Sequence, residues 1–189
     1  MAPVIDRAPP PPVDDPTIVF AIGQSNMVQG TKSGIQTEFV SRLESGNGRN
    51  DTIYIQAAIG GQKAVEFGNG GSVAQMMDAR YDTSKLPPAD YLLIHQGEAD
   101  YQTPGAEFVA TWNGNIAEMG DKGMVDAETV KVMGQLFQGG KYDAMNDYMG
   151  QIDGVRIASS DGLTAFDGIH FDEASRLELG GRYYAEAMK

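Results

Sequence analysis

The sequence predicts an α/β fold: a parallel sheet covered by helices on both faces. Short, continuous apolar runs alternate along the chain with segments of helical spacing. Runs of that kind read as strands buried on both faces, and a β-α-β-α order implies parallel pairing with right-handed crossovers. Polar, glycine-rich residues also follow the strands repeatedly, at the edge where an open α/β sheet binds ligands.

The first strand is expected at Thr17–Ile22 and the second at Thr52–Ala58, which runs into Gly60-Gly61. Tyr91–His95 is the third, entered through Pro87-Pro88; Val130–Phe137 is a weaker fourth and Gly154–Ala158 a fifth. Helices are expected at Ser33–Leu43, Ser72–Ala79, Ala106–Met119, Tyr142–Ile152 and Ala174–Met188. The helix at 106–119 carries Phe108, Val109, Trp112, Ile116 and Met119 on one stripe, the spacing of a core-facing face. Gly180 and Gly181 in the last helix are expected to permit close approach to the sheet, at a cost of about 1 kcal/mol each relative to alanine.

The 189 residues suit one domain with a sizeable core, expected over 17–189. Residues 1–16 form a proline-rich leader. Its segment Ala-Pro-Pro-Pro-Pro-Val-Asp-Asp-Pro excludes helix interior and central strand, because proline lacks the N–H and fixes φ. An extended polyproline-II arm is expected, either a plain leader or a tether to a larger assembly. Met1–Arg7 has no apolar h-region, so no secretory signal is expected, and no apolar run approaches the roughly 18 residues of a membrane span. Localisation stays open, with an extracellular or virion-associated setting compatible with the chain.

The net charge of −12 disfavours a nucleic-acid partner, since like charges repel and no basic stripe interrupts the acidity. The absence of cysteine excludes disulfides, zinc–thiolate sites, iron–sulfur clusters and thiol catalysis. With two histidines in the chain, an imidazole base has to be His95 or His170.

Gly23-Gln24-Ser25-Asn26-Met27 follows the first strand directly, a turn able to present a nucleophile; a lone serine there would more commonly cap a helix. Serine reacts when an imidazole takes its proton and a carboxylate fixes the imidazole tautomer. The Asp167-Gly168-Ile169-His170 loop offers both groups three residues apart. The developing oxyanion needs preorganised donors, each worth on the order of 3 kcal/mol of transition-state stabilisation. The backbone N–H of Ser25, the N–H of Gly60 or Gly61, and the side-chain amide of Gln96 are the candidates. His95 ends a buried strand and reads as a satisfied core histidine. For Glu98 and Asp100 three roles stay open: positioning the Ser25 loop, binding substrate hydroxyls, or capping the next helix.

Taken in order, Gly23-Gln24-Ser25-Asn26-Met27, Ala58-Ile59-Gly60-Gly61, His95-Gln96-Gly97-Glu98-Ala99-Asp100 and Asp167-Gly168-Ile169-His170-Phe171 resemble the SGNH hydrolase superfamily. Within it, the sialate O-acetylesterase and acetylxylan esterase group (carbohydrate esterase family 6) is most similar. The resemblance implies a three-layer α/β/α, flavodoxin-like fold with a five-stranded parallel sheet of order 2-1-3-4-5. It implies Ser25 as nucleophile, His170 as base, Asp167 as its orienter, an oxyanion hole from Ser25, Gly60-Gly61 and Gln96, and support from Gln24, Asn26 and Glu98. It implies no metal or other cofactor, and an acetyl ester on a sugar hydroxyl as substrate. Gln62, Phe67 and Ile94 depart from the usual threonine and aromatic residues of that group, which bears on substrate identity more than on the reaction. Two other readings of the same fold are a non-catalytic or weakly catalytic carbohydrate-binding decoration module and an SGNH lipase or thioesterase.

Overall fold

The computed structural model describes residues 16–28, 34–48 and 50–189. Except for Pro16, the expected proline arm lies outside the described residues, as does Ser33 at the start of the second helix. Five strands, β1 (Ile18–Gly23), β2 (Ile53–Ala58), β3 (Tyr91–His95), β4 (Val130–Gly134) and β5 (Val155–Ala158), form one sheet of order β2-β1-β3-β4-β5. All neighbouring pairs are parallel. Six helices accompany them: α1 (Ser25–Val28), α2 (Ile35–Asn47), α3 (Ser72–Arg80), α4 (Gly105–Asp121), α5 (Asp143–Met149) and α6 (Glu173–Ala187). Two short 3-10 turns, Ala64–Phe67 and Glu98–Asp100, lie beside the β2 and β3 ends of the sheet.

β1 is central and buried along its whole length. Its side chains alternate between two cores, as the pleat demands. Ile18, Phe20 and Ile22 join Val73, Met77, Phe108, Trp112 and Met149 on one face. Val19 and Ala21 join Ile35, Phe39, Leu43, Leu179 and Tyr183 on the other. Each fully buried Ile or Phe contributes roughly 1.5–3 kcal/mol of transfer free energy, so β1 anchors the three layers.

β4 ends at Gly134, three residues short of its expected limit. The Asn146 side chain takes the backbone that a longer strand would have paired, accepting from Leu136 N–H at 2.8 Å and donating to Leu136 C=O at 3.1 Å. The Ser160 hydroxyl donates to the same carbonyl at 2.6 Å. α5 is likewise shorter than expected and stops at Gly150. α6 begins where Asp172 accepts the Ser175 N–H at 2.9 Å, a side-chain N-cap.

The glycine pair of α6 works differently from the expectation. A Cβ at Gly180 would stand 2.4 Å from the Ile35 carbonyl oxygen, and one at Gly181 would meet the Arg42 guanidinium at 2.8 Å. These glycines bring α6 against α2 rather than against the sheet. The close approach to the sheet comes from the strand side, where Gly134 leaves room for the Tyr183 ring.

Gly23, Ala58 and His95 share one register level at the carboxyl ends of β2, β1 and β3. The loops that follow these three residues therefore leave the sheet side by side. The chain reverses direction across the sheet between β1 and β3, the switch point at which open α/β sheets form their crevice.

Candidate active site

The β1 loop is fixed at its root by backbone. Gln24 N–H donates to His95 C=O at 3.1 Å and Ile59 N–H to Gly23 C=O at 3.1 Å, tying the three strand ends together. A Cβ at Gly23, where φ is +156°, would lie 2.2 Å from the His95 carbonyl oxygen, so only glycine allows this approach. Ser25 opens α1 at the mouth of a cleft of about 450 Å³ lined by Gln24, Gly60, Gly61, Tyr142, Ile169 and His170, among others.

Ser25 and the Asp167–His170 loop meet although 145 residues separate them. His170 Nε2 lies 2.9 Å from Ser25 Oγ and His170 Nδ1 lies 2.6 Å from Asp167 Oδ2. The loop is wound around its own carboxylate: Asp167 Oδ1 accepts the N–H of Ile169 at 3.0 Å and of His170 at 2.7 Å. The His170 backbone N–H, then its ring, hold the Asp167 carboxyl down at about 2. An ionised Asp167 at Nδ1 fixes the tautomer in which Nε2 is free to accept a proton from Ser25. Phe166 stacks on the His170 ring, with centroids 5.6 Å apart and planes 18° from parallel.

Gly60 passes Ser25 closely, a Cβ there standing 3.8 Å from Ser25 Cβ. Gly61 has φ +73°, a left-handed conformation that glycine adopts without cost. Both glycines line the cleft.

Gln96 requires a correction. It was expected to donate into the cleft, but it is fully buried. Its NH2 group donates to Gln62 C=O at 3.0 Å and to the Asp100 carboxylate, and its carbonyl oxygen accepts from Trp112 Nε1 at 3.2 Å. Both amide hydrogens are taken, so Gln96 here braces the Gly60–Gln62 loop from below. Asp100 takes part in the same brace, accepting Ala64 N–H at 2.9 Å at the head of the first 3-10 turn. Burial pushes its carboxyl above the usual range, against the pull of Gln96 and Ala64.

Of the three roles open to Glu98, the geometry selects the first. Its carboxylate accepts from the side-chain amides of Gln24 and Asn26, the residues on either side of Ser25. Asn26 reaches further, donating to Ile169 C=O at 3.1 Å and accepting Phe171 N–H at 3.0 Å, so it grips the backbone on both sides of His170. His95 is fully buried and faces Tyr183 and Glu98, while His170 is the histidine at Ser25.

The cleft also contains residues that the sequence reading did not single out as site residues: Tyr101, Lys141 and Tyr142 on one wall, with Phe166 stacked on His170 beside it. Lys141 Nζ sits 4.5 Å from the Tyr101 ring centroid and 5.0 Å from that of Tyr142. Phe166 adjoins the Asp167 motif, a positional signal that was available; nothing in the local sequence marks the other three. Among the described residues no cluster of three or more His, Asp or Glu side chains could hold a metal ion, and no helix is long and apolar enough to cross a membrane.

A family profile described as "Carbohydrate esterase, sialic acid-specific acetylesterase" matches residues 29–189. The chain belongs to this family. The match begins just after the Gly23–Met27 turn, so it takes in Asp167 and His170 but not Ser25. A comparison with curated protein sequences finds no match. Among solved structures, a protein from Arabidopsis thaliana superposes with a TM-score of 0.74 at 14% identity, over 92% of this chain and 98% of that one. A variant of Axe2, an acetyl xylan esterase from Geobacillus stearothermophilus, gives 0.67 at 13% identity over 92% and 95%. A protein from Slackia heliotrinireducens assigned to the SGNH hydrolases gives 0.66 at 15% identity over 93% and 100%. At these identities the likeness establishes the fold, and fold and family together place this sialic acid-specific acetylesterase family member among the ester hydrolases.

Proposed function

We propose that this family member is a serine esterase that removes O-acetyl groups from carbohydrate. The observation that carries the reading is the continuous contact from Ser25 Oγ through the His170 ring to Asp167, at 2.9 and 2.6 Å.

Ser25 Oγ attacks the acetyl carbonyl as His170 Nε2 takes its proton. Asp167, ionised throughout the neutral range, stabilises the imidazolium that forms. The backbone N–H of Ser25 and an N–H of the Gly60-Gly61 pair receive the oxyanion, with Gln96 stiffening the loop that carries the glycines. The imidazolium returns its proton to the sugar oxygen, which leaves as the free hydroxyl. Water, deprotonated by His170, then attacks the acyl-enzyme and releases acetate and Ser25. The exposed Tyr101 ring at the cleft supports a sugar as the leaving group, because pyranose faces stack on such rings.

Hydrolysis of a small aryl acetate, abolished in Ser25→Ala, tests the chemistry; unchanged turnover in that variant overturns it. Acetate release from a panel of O-acetylated glycans tests the substrate class. Activity that rises steeply with acyl chain length would instead identify a lipase-like specificity, and glycan binding without acetate release a binding module.

A further inference from the structure

We propose that His95 is a buried imidazolium, protonated on both ring nitrogens, and that its ion pair with Glu98 is a positioning device that holds Ser25 and His170 in register from beneath the site. The positioning half of this proposal rests on the reading of Ser25 as nucleophile; the charge state of His95 does not.

The argument is a count of donors and acceptors. Tyr183 has one hydroxyl proton and donates it to the Ile94 carbonyl. Toward His95 Nδ1, 3.3 Å away, the tyrosine oxygen can then only accept, so Nδ1 carries a hydrogen. On the other side His95 Nε2 lies 3.3 Å from Glu98 Oε1 and has no aligned hydrogen bond of its own, which leaves this charge contact as its partner. Glu98 Oε1 accepts from Asn26 Nδ2 at 2.7 Å, and Glu98 Oε2 accepts from Gln24 Nε2. The Asn26 amide cannot be turned round, because its oxygen takes the Phe171 N–H and its nitrogen serves the Ile169 carbonyl. Gln24 points its NH2 at the carboxylate while its own oxygen has no partner among the described residues. With the Gln24 amide in this orientation both carboxylate oxygens are occupied by donors, the arrangement that favours an anion. A neutral imidazole would set a bare lone pair against that anion in a fully buried site, where an unpaired charge is strongly penalised.

Burial opposes the Glu98 charge, and the contact with His95 together with the Asn26 amide outweighs it, holding the carboxyl below its usual range. The titratable groups facing His95 are Glu98 from the turn after β3 and Tyr183 from α6; Phe171 closes a third side with its ring edge-on, 5.9 Å between centroids. Asp100, on the same turn as Glu98, is engaged with Ala64 and Gln96. The pair acts on Ser25 through its two neighbours, and on His170 through Asn26.

The full chain has two histidines, so nitrogen-15 NMR of the imidazoles resolves His95 once His170→Ala has identified the other set of signals. Both His95 nitrogens are expected at imidazolium shifts at pH 7; a bare ring nitrogen overturns the proposal. In Glu98→Gln the charge that faces His95 is lost, and the new NH2 either meets the Asn26 and His95 donors or forces the Gln24 amide to turn over. The expected result is a kcat lowered by about tenfold or more with KM within about threefold, and a matching fall in the rate at which a phosphonate labels Ser25. Wild-type kcat in Glu98→Gln overturns the positioning role. If Glu98→Gln does not fold, Tyr183→Phe keeps the ring and removes the acceptor for Nδ1–H. It is expected to lower kcat at constant KM and to change the His95 signals, and no change in both overturns the proposal. Failure of the phosphonate to label Ser25 in the wild-type chain would instead count against the esterase reading, while the NMR result on His95 stands separately.

Discussion

Asn26 Oδ1 accepts the backbone N–H of Phe171 at 3.0 Å across 145 residues of chain. This bond, with the Asn26 donation to Ile169, ties the loop that carries Ser25 to the loop that carries His170. Asn26 itself is fully buried. Asn26→Asp keeps the acceptor for Phe171 but loses both donations and sets a second carboxylate against Glu98. A fall in kcat on the order of 10- to 100-fold with little change in KM is expected from steady-state kinetics on an aryl acetate.

Gly23→Ala tests the root of the serine loop. A methyl group there would overlap the His95 carbonyl, a backbone atom held in the sheet, at 2.2 Å. A loss of about 2 kcal/mol or more is expected in urea unfolding. Gly48, at the end of α2, has φ +69° and open space around it. The same substitution there should cost only about 1 kcal/mol.

Asp167 gives a pH dependence of definite sign. Its folded carboxyl is depressed from 3.8 to about 2, so its contribution to stability is complete above the unfolded value and is lost as pH falls through the folded one. The difference in melting temperature between wild type and Asp167→Asn should be flat from pH 7 down to about 5, and should close between 3.8 and about 2. Because Asp167 stays ionised over that upper range, an acid limb in kcat/KM above pH 4.5 or so belongs to another group. At pH 7 Asp167→Asn should lower kcat on the order of 10⁴-fold by losing the correct tautomer.

Phe166 is 65% exposed yet stacked on His170. A ring left in water for packing reasons alone gains little. Phe166→Ala is expected to leave the melting temperature nearly unchanged. It should lower kcat/KM by roughly two- to tenfold, the range that one aromatic stacking contact commands.

Gln96→Ala separates a brace from an oxyanion donor. It removes partners from Gln62, Asp100 and the Trp112 indole N–H at once. Thermal melts should show a loss of about 2–4 kcal/mol. Gln96→Glu keeps an acceptor for Trp112 but faces Asp100 with a like charge, so it should be at least as destabilising.

The sequence by itself determined the sheet, the five strands to within three residues, and three residues, Ser25, His170 and Asp167, that the structure brings into contact. Buried parallel strands are continuous apolar runs, and the Asp167–His170 contact is local, made within one turn whose spacing is visible in the chain. Family resemblance supplied the strand order. The tertiary structure alone decided which partners the bifunctional side chains chose. Gln96 could donate into the cleft or to the loop beneath it, and the structure turns its amide to the loop, where the buried Asp100 carboxylate and the Gln62 carbonyl both accept from it. Gly180 and Gly181 could admit a sheet or a helix, and it is α2 that packs on them, while Gly134 makes the room for the Tyr183 ring at the sheet. Glu98 became the link between Ser25 and His170 because a buried carboxylate must collect every donor within reach, and the donors near it are the neighbours of Ser25.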